Sequence, residues 1–295
     1  RSNAFFVIQK PLYFLSFTKT QMHICTHIYH FRVFCFKGKS PRNSMKKIKE
    51  YAELLAKASL EIGSIQLRPN DPFIWASGTR NPIYNDNRML LAEYEHRMLV
   101  TKSLIDVLAE NEIGLQHVDY ICGTSLSGIG PASTLADMLH KKLLIFVDDT
   151  PYEFSSVMNL PIGNSYNRSI VSSAPFGIPL GVLFANMYKL RFSYVRPAVK
   201  KHGLKKSIEG ADVVNEDFDL INVGDDQAKS NCLSALSNQD LNCKTVTHYS
   251  PENIFLKAEL SNKCVIVVED LISTGASFAK EADACKKAGA EVLCV

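Results

Sequence analysis

"CVIVVEDLISTGAS", residues 264 to 277, is the stretch on which the reading of this chain turns. An apolar run from Cys264 to Val268 ends in two adjacent acids, Glu269 and Asp270. Leu271 and Ile272 follow, then Ser273, Thr274 and Gly275, and helix-forming sequence starts near Phe278. A short apolar run bounded by turn residues is the pattern of a strand buried on both faces of a parallel sheet. In such sheets ligands bind beyond the carboxyl ends of the strands, where Glu269 and Asp270 are expected to sit. Residues 271 to 277 lead into a helix N-terminus, whose free N–H groups and positive dipole end attract phosphate. Ser273, Thr274 and Ser277 add hydroxyl donors, and Gly275 has no Cβ to hold an approaching group away. The two carboxylates would repel the same phosphate, so they suit ribose hydroxyls, a Mg²⁺ shell or a developing cation. A phosphoribosyl group meets both demands. An acidic pair followed by an N-cap serine is by itself an ordinary solvated strand end; the complete ordered pattern is far more specific.

Upstream, the chain repeats the grammar of strand, turn and helix. "VDYICGTSLSGIGPASTLADMLHKKLLIFV" (118 to 147) and "SIVSSAPFGIPLGVLFANMYKLRFSYVR" (169 to 196) align at an offset of 49 residues, with Gly128 on Gly177 and Met138 on Met187. That offset suggests a duplicated βαβ element, although two adjacent βα units share such grammar without duplication. Residues 46 to 61 and 92 to 112 have helical spacing, and "FIWASGTRNPIYNDNR" (73 to 88) reads as strand, turn, strand. The expected fold is α/β, a mainly parallel twisted sheet flanked by helices, with a small N-terminal hood. "PAVKKHGLKKSI" (197 to 208) is a basic loop directly after a core-like strand. Residues 211 to 262 turn polar and irregular and read as an inserted segment. "IFVDD" (145 to 149) also ends in two acids but lacks the Thr-Gly and the helix start, so it reads as a decoy.

The chain has 295 residues, 46% of them hydrophobic, and a net charge of +3. Residues 1 to 44 hold seven of the 33 Lys and Arg and none of the acids. The remainder therefore carries 26 bases against 30 acids, a balance of −4. A mildly acidic body argues against nucleic-acid binding. No run of about 18 apolar residues exists to span a membrane. Eight cysteines without a CxxC pair favour reduced thiols and a cytoplasmic protein. Residues 1 to 44 read as an extension outside the fold, and residues 45 to 295 as the folded domain. His23, His27 and His30 with Cys25 have one-sided spacing on a helix, but an incidental aromatic cluster is the plainer reading.

"VVEDLISTGAS" resembles the phosphoribosyl-pyrophosphate (PRPP) signature of type I phosphoribosyltransferases. "FIWASGTRNPIYNDNR" and "YVRPAVKKHG...IEG" narrow the resemblance to the orotate phosphoribosyltransferases. It implies the type I phosphoribosyltransferase fold and transfer of the 5-phosphoribosyl group from PRPP to orotate. Orotidine 5′-monophosphate and pyrophosphate result, with Mg²⁺ carried by PRPP, in pyrimidine synthesis. By motif position it implies Lys200, His202 and Asp270 as catalytic residues. PRPP would be bound by Arg196, Lys200, Lys201, His202, Glu269, Asp270, Leu271, Ile272, Ser273, Thr274, Gly275, Ala276 and Ser277. Orotate would be bound by Ser273 and Tyr84. A homodimer sharing loop 197 to 208 between subunits is implied as well. The pyrophosphate-side turn exists twice, at 123 to 128 and 172 to 177, and the sequence leaves the choice open. Family members continue beyond "EVLCV" with an arginine for the orotate carboxylate, so the C-terminus is expected to be truncated, and a non-catalytic PRPP-binding regulator is the alternative.

Overall fold

The computed structural model describes residues 42–74, 78, 80–154, 168–197, 207–210, 217–237, 242–271 and 275–295. The extension, with His23, Cys25, His27 and His30, lies outside them apart from its last few residues.

A hood opens the fold. Helix α1 (Arg42–Glu61) is followed by short strands β1 (Ile65–Leu67), β2 (Phe73–Ile74), β3 (Arg80–Asn81) and β4 (Ile83–Asn85). They pair antiparallel, β1 with β4 and β2 with β3. A 3₁₀ turn, Asn87–Leu91, leads into α2 (Tyr94–Glu110). Asp106 ties α2 to α1 by accepting from Tyr51 Oη at 2.6 Å and pairing with Lys47 Nζ at 2.7 Å. Arg97, 1% exposed, donates to the carbonyls of Leu91, Ala92 and Leu190 and to Asn186 Oδ1. It therefore fastens the hood to elements almost 100 residues further on.

Strand β5 (Tyr120–Gly123), helix α3 (Ile129–Met138), strand β6 (Lys142–Val147) and strand β7 (Thr150–Phe154) come next. They are followed by β8 (Ser169–Ser173), α4 (Gly177–Met187), β9 (Phe192–Val195) and β10 (Ile208–Gly210). Then come β11 (Asp217–Val223), α5 (Asp226–Ser237) and β12 (Asn242–Tyr249). The chain closes with β13 (Phe255–Lys257), β14 (Cys264–Val268), α6 (Ala276–Lys287) and β15 (Glu291–Cys294).

The α/β class holds, but two sheets form where a single one was expected. One runs β13-β7-β6-β5-β14-β15 and the other β10-β9-β8-β11-β12. In each, the antiparallel pairs lie at one edge, β13 with β7 and β7 with β6 in the first sheet and β10 with β9 in the second, and the remaining pairs are parallel. β5 and β8 are buried along their whole length, as strands covered on both faces must be. A single apolar cluster spans both sheets, with Ile129, Ala132 and Leu135 of α3 and Ile178, Val182 and Ala185 of α4 inside it.

The described residues between 211 and 262 are largely regular where irregular chain was expected. They supply β11, α5 and β12 to the second sheet, then β13 to the first. β11 looked too polar for a core strand because it carries Asp219 and Asn222. Both are buried, Asp219 lying 3.8 Å from Arg168 Nη1 and Asn222 bonding His248 Nδ1 at 2.8 Å. Those partners are remote in sequence, so the polar letters hid a strand that is otherwise apolar inside.

No helix among the described residues is long and apolar enough to cross a membrane. The six cysteines among them are free thiols.

Candidate active site

β14 lies between β5 and β15, and Val268 pairs with Gly123 at the carboxyl end of β5. The chain leaves β5 through the turn 123 to 128, which folds back onto β14. The Thr124 N–H donates to the Val268 carbonyl at 3.0 Å, and the Gly128 N–H donates to the Thr124 carbonyl at 3.0 Å. A Cβ on Gly128 would stand 2.2 Å from that Val268 carbonyl, so only glycine permits this approach. Turn 123 to 128 thus sits against the residue preceding the acidic pair. Its copy, 172 to 177, sits against β11, with a Gly177 Cβ falling 3.1 Å from the Ile221 carbonyl. Of the two copies, it is the first that lies beside the strand leading to Glu269 and Asp270.

Glu269 accepts the Asp270 N–H on Oε1 at 3.1 Å, while its Oε2 is buried with no partner. Burial, and then the neighbouring Asp270 carboxyl, push its pKa up to about 8; the nearby Thr124 hydroxyl works weakly the other way without a well-formed hydrogen bond. Asp270 is fixed through its carbonyl, which accepts from Asn87 Nδ2 at 2.6 Å. Gly275 precedes α6 with φ +84°, a left-handed conformation that suits glycine, and as the N-cap residue it brings no side chain to the helix start. Ala276 and Ser277 form its first turn, and Leu271 is exposed. Ile272, Ser273 and Thr274 lie outside the described residues.

On the other side, Arg196 follows β9, its N–H donating to the Ser207 carbonyl at 2.9 Å. Its Nη1 is 3.5 Å from Glu209 Oε1. Glu209, 3% exposed, also accepts from Arg88 Nη1, and Arg88 Nε bonds Asp86 Oδ1 at 2.5 Å. Tyr84 stacks near Phe73 with ring centroids 5.1 Å apart, and its hydroxyl lies 3.4 Å from Arg88 Nη2. Tyr194 is fully buried with an unpartnered hydroxyl, and Glu209, Arg88, Asp270 and Arg196 all act on it electrostatically. Lys200, Lys201 and His202 lie outside the described residues.

The structure therefore gathers Glu269, Asp270, Arg196 and Tyr84 around the hood residues Asn87 and Arg88. Sequence reasoning missed Thr124, Asn87, Arg88 and Glu209; "NDNR" at 85 to 88 was visible, but nothing local tells that Asn87 faces Asp270 and Arg88 faces Glu209. The decoy acids Asp148 and Asp149 have φ of 49° and 60° and form the tight turn of the β6–β7 hairpin. No group of three or more metal-ligating side chains exists among the described residues.

A half-buried acid pair at a strand's carboxyl end, a glycine-dependent turn and a helix start opened by Gly275 make an α/β site of a shape and charge suited to a sugar phosphate. The chain is similar to curated orotate phosphoribosyltransferases, as the motifs implied. It is 27% identical to that of Listeria innocua over 239 residues, covering 81% of this chain and 67% of the relative. It is 28% identical to that of Staphylococcus epidermidis over 242 residues, covering 82% and 70%. No family model matches. Among solved structures, an orotate phosphoribosyltransferase from Aeropyrum pernix is 17% identical with a TM-score of 0.30, covering 81% of this chain and 91% of that one.

Proposed function

We propose that this protein transfers the 5-phosphoribosyl group of PRPP to orotate, giving orotidine 5′-monophosphate and pyrophosphate for pyrimidine nucleotide synthesis. The observation that carries the reading is the acid pair Glu269 and Asp270, at the carboxyl end of β14 beside turn 123 to 128 and a few residues before the glycine-led start of α6. As C1 of the ribose loses its pyrophosphate, positive charge develops on the sugar. The acid pair fixed beneath it, of which Glu269 gives up its proton only at about pH 8, is placed to stabilise that charge without reorganising. The start of α6, with Gly275, Ala276 and Ser277, suits the 5-phosphate.

Two adjacent carboxylates, with no larger acidic cage among the described residues, fit a Mg²⁺ that arrives with the diphosphate. Bound so, Mg²⁺ would neutralise the leaving pyrophosphate. Arg196, with Lys200, Lys201 and His202 from the adjoining loop, supplies further cations for that anion. Tyr84, beside Arg88, would line the orotate side together with Ser273. The protein is read as cytoplasmic. A homodimer would share loop 197 to 208 between its subunits.

Loss of orotate absorbance in a mixture with PRPP and Mg²⁺ tests the reading. Turnover that disappears in Asp270→Asn is expected. PRPP binding without turnover would make the protein a non-catalytic sensor, and absence of both would refute the proposal.

A further inference from the structure

The repeat extends well past one βαβ element. Sheet order β7-β6-β5-β14-β15 matches β10-β9-β8-β11-β12 position by position. Ile121 pairs with Leu143 as Ile170 pairs with Phe192, both 49 residues on. On the far side, Cys264 pairs with Glu291 and Asp217 with Asn242, and both ladders are interrupted one pair later, after Val265 and after Phe218. Lys141 N–H bonds the Ala136 carbonyl, and Leu190 N–H bonds the Ala185 carbonyl, again 49 apart. α3 packs against its own counterpart α4, with Asn186 Nδ2 donating to Thr134 Oγ1 at 3.2 Å. Two copies of one unit thus meet through the same element, as subunits of a two-fold dimer do.

The copies differ in complementary ways. Gly123 pairs with Val268 and Ser172 with Ile221, so Glu269 and Asp270 correspond to Asn222 and Val223. The second copy has lost both acids, and Asn222 is turned to His248. Its helix start is also taken, because Asp225 Oδ1 accepts the Ala228 N–H at 2.7 Å and Asp226 adds a further negative charge in the first turn. A phosphate there would meet the carboxylates of Asp225 and Asp226, whereas the first turn of α6 carries no acid. Conversely, Ile145 pairs with Tyr152 where Tyr194 pairs with Glu209. Arg196, Tyr194 and Glu209 of the second copy therefore stand where the first has Val147, Ile145 and Tyr152.

The two surviving halves meet at one place. Adjacent residues of the 3₁₀ turn hold one each, Asn87 the Asp270 carbonyl and Arg88 the Glu209 carboxylate. We infer that the chain is an internal pseudo-dimer with a single composite site, in which the first copy supplies the sugar-phosphate cradle and the second supplies Arg196, positioned by Glu209. The equivalent cradle of the second copy binds nothing. This inference rests on the proposed PRPP reading and adds the stoichiometry and the role of Glu209.

Calorimetric titration of the full chain with PRPP and Mg²⁺, alongside light scattering for its mass, tests it. One PRPP per chain is expected. Asp270→Asn should remove all binding, and Asp226→Asn should leave the titration unchanged. Glu209→Gln should raise KM for PRPP by about tenfold or more while changing KM for orotate little, a split that general loss of folding would not give. Should Glu209→Gln unfold the chain, Arg196→Gln reads the same split. Two PRPP per chain, or half of the sites surviving Asp270→Asn, overturns the single site and leaves the PRPP reading standing. An unchanged KM for PRPP in the folded variants overturns the composite site. Absence of any PRPP binding removes both.

Discussion

Replacing Glu269 by glutamine should make the protein more stable at pH 8 and leave it nearly unchanged at pH 5. The carboxyl titrates near 8 in the folded chain, against an ordinary value of 4.5, chiefly because it is buried. Between those values the native state keeps a proton that the unfolded chain has released. Stability contributed here is thus highest below pH 4.5 and falls as pH rises through 8. At about 1.4 kcal/mol per pH unit, the ceiling is about 5 kcal/mol across the window. Residual solvent contact screens part of this, leaving about 2 to 4 kcal/mol. Glutamine mimics the protonated acid in shape and charge, so its variant should lose that slope. Glu281 of α6, 6% exposed and pushed up to about 7 by burial, slopes in the same direction and remains in the variant as a fixed background. Urea unfolding of both proteins at pH 5, 6.5 and 8 reads the difference directly. A gap between the two that does not widen with pH would refute the burial of Glu269 as described.

Three further outcomes follow from the packing. Gly128→Ala puts a Cβ 2.2 Å from the Val268 carbonyl and 2.4 Å from Thr124 Oγ1, whereas Gly177→Ala meets Ser173 Oγ at 2.9 Å. In thermal melts the first should cost several kcal/mol and clearly more than the second, and equal costs would contradict the closer first turn. Arg97→Leu removes the guanidinium donors to the carbonyls of Leu91 and Leu190 and one of the two donors to that of Ala92, which keeps the Phe192 N–H, so calorimetry should show a loss of about 3 kcal/mol; a neutral result would mean that the hood does not depend on this guanidinium. Asp225→Ala removes the cap of α5 and should cost about 1 kcal/mol in urea unfolding, with PRPP binding unaffected if the second copy carries no site.

What the residues of 264 to 277 determined unaided was the chemistry. The order of apolar run, acid pair, hydroxyls and glycine is local, and a strand end followed by a helix start is dictated by neighbours in sequence. The offset of 49 residues was equally legible, because apolar spacing and the glycines of a tight turn recur wherever the same unit recurs. The second sheet was not, since β11 earns its burial from Arg168 and His248, side chains that no window around 217 to 223 contains. Nor was the choice between the two turns, because both copies have the glycine and only sheet pairing places Gly123 beside Val268. The joining of Asp270 to Glu209 through Asn87 and Arg88 belongs to the tertiary structure alone: hydrogen bonds spanning 183 and 121 residues are set by how sheets and hood pack, and no local pattern encodes them.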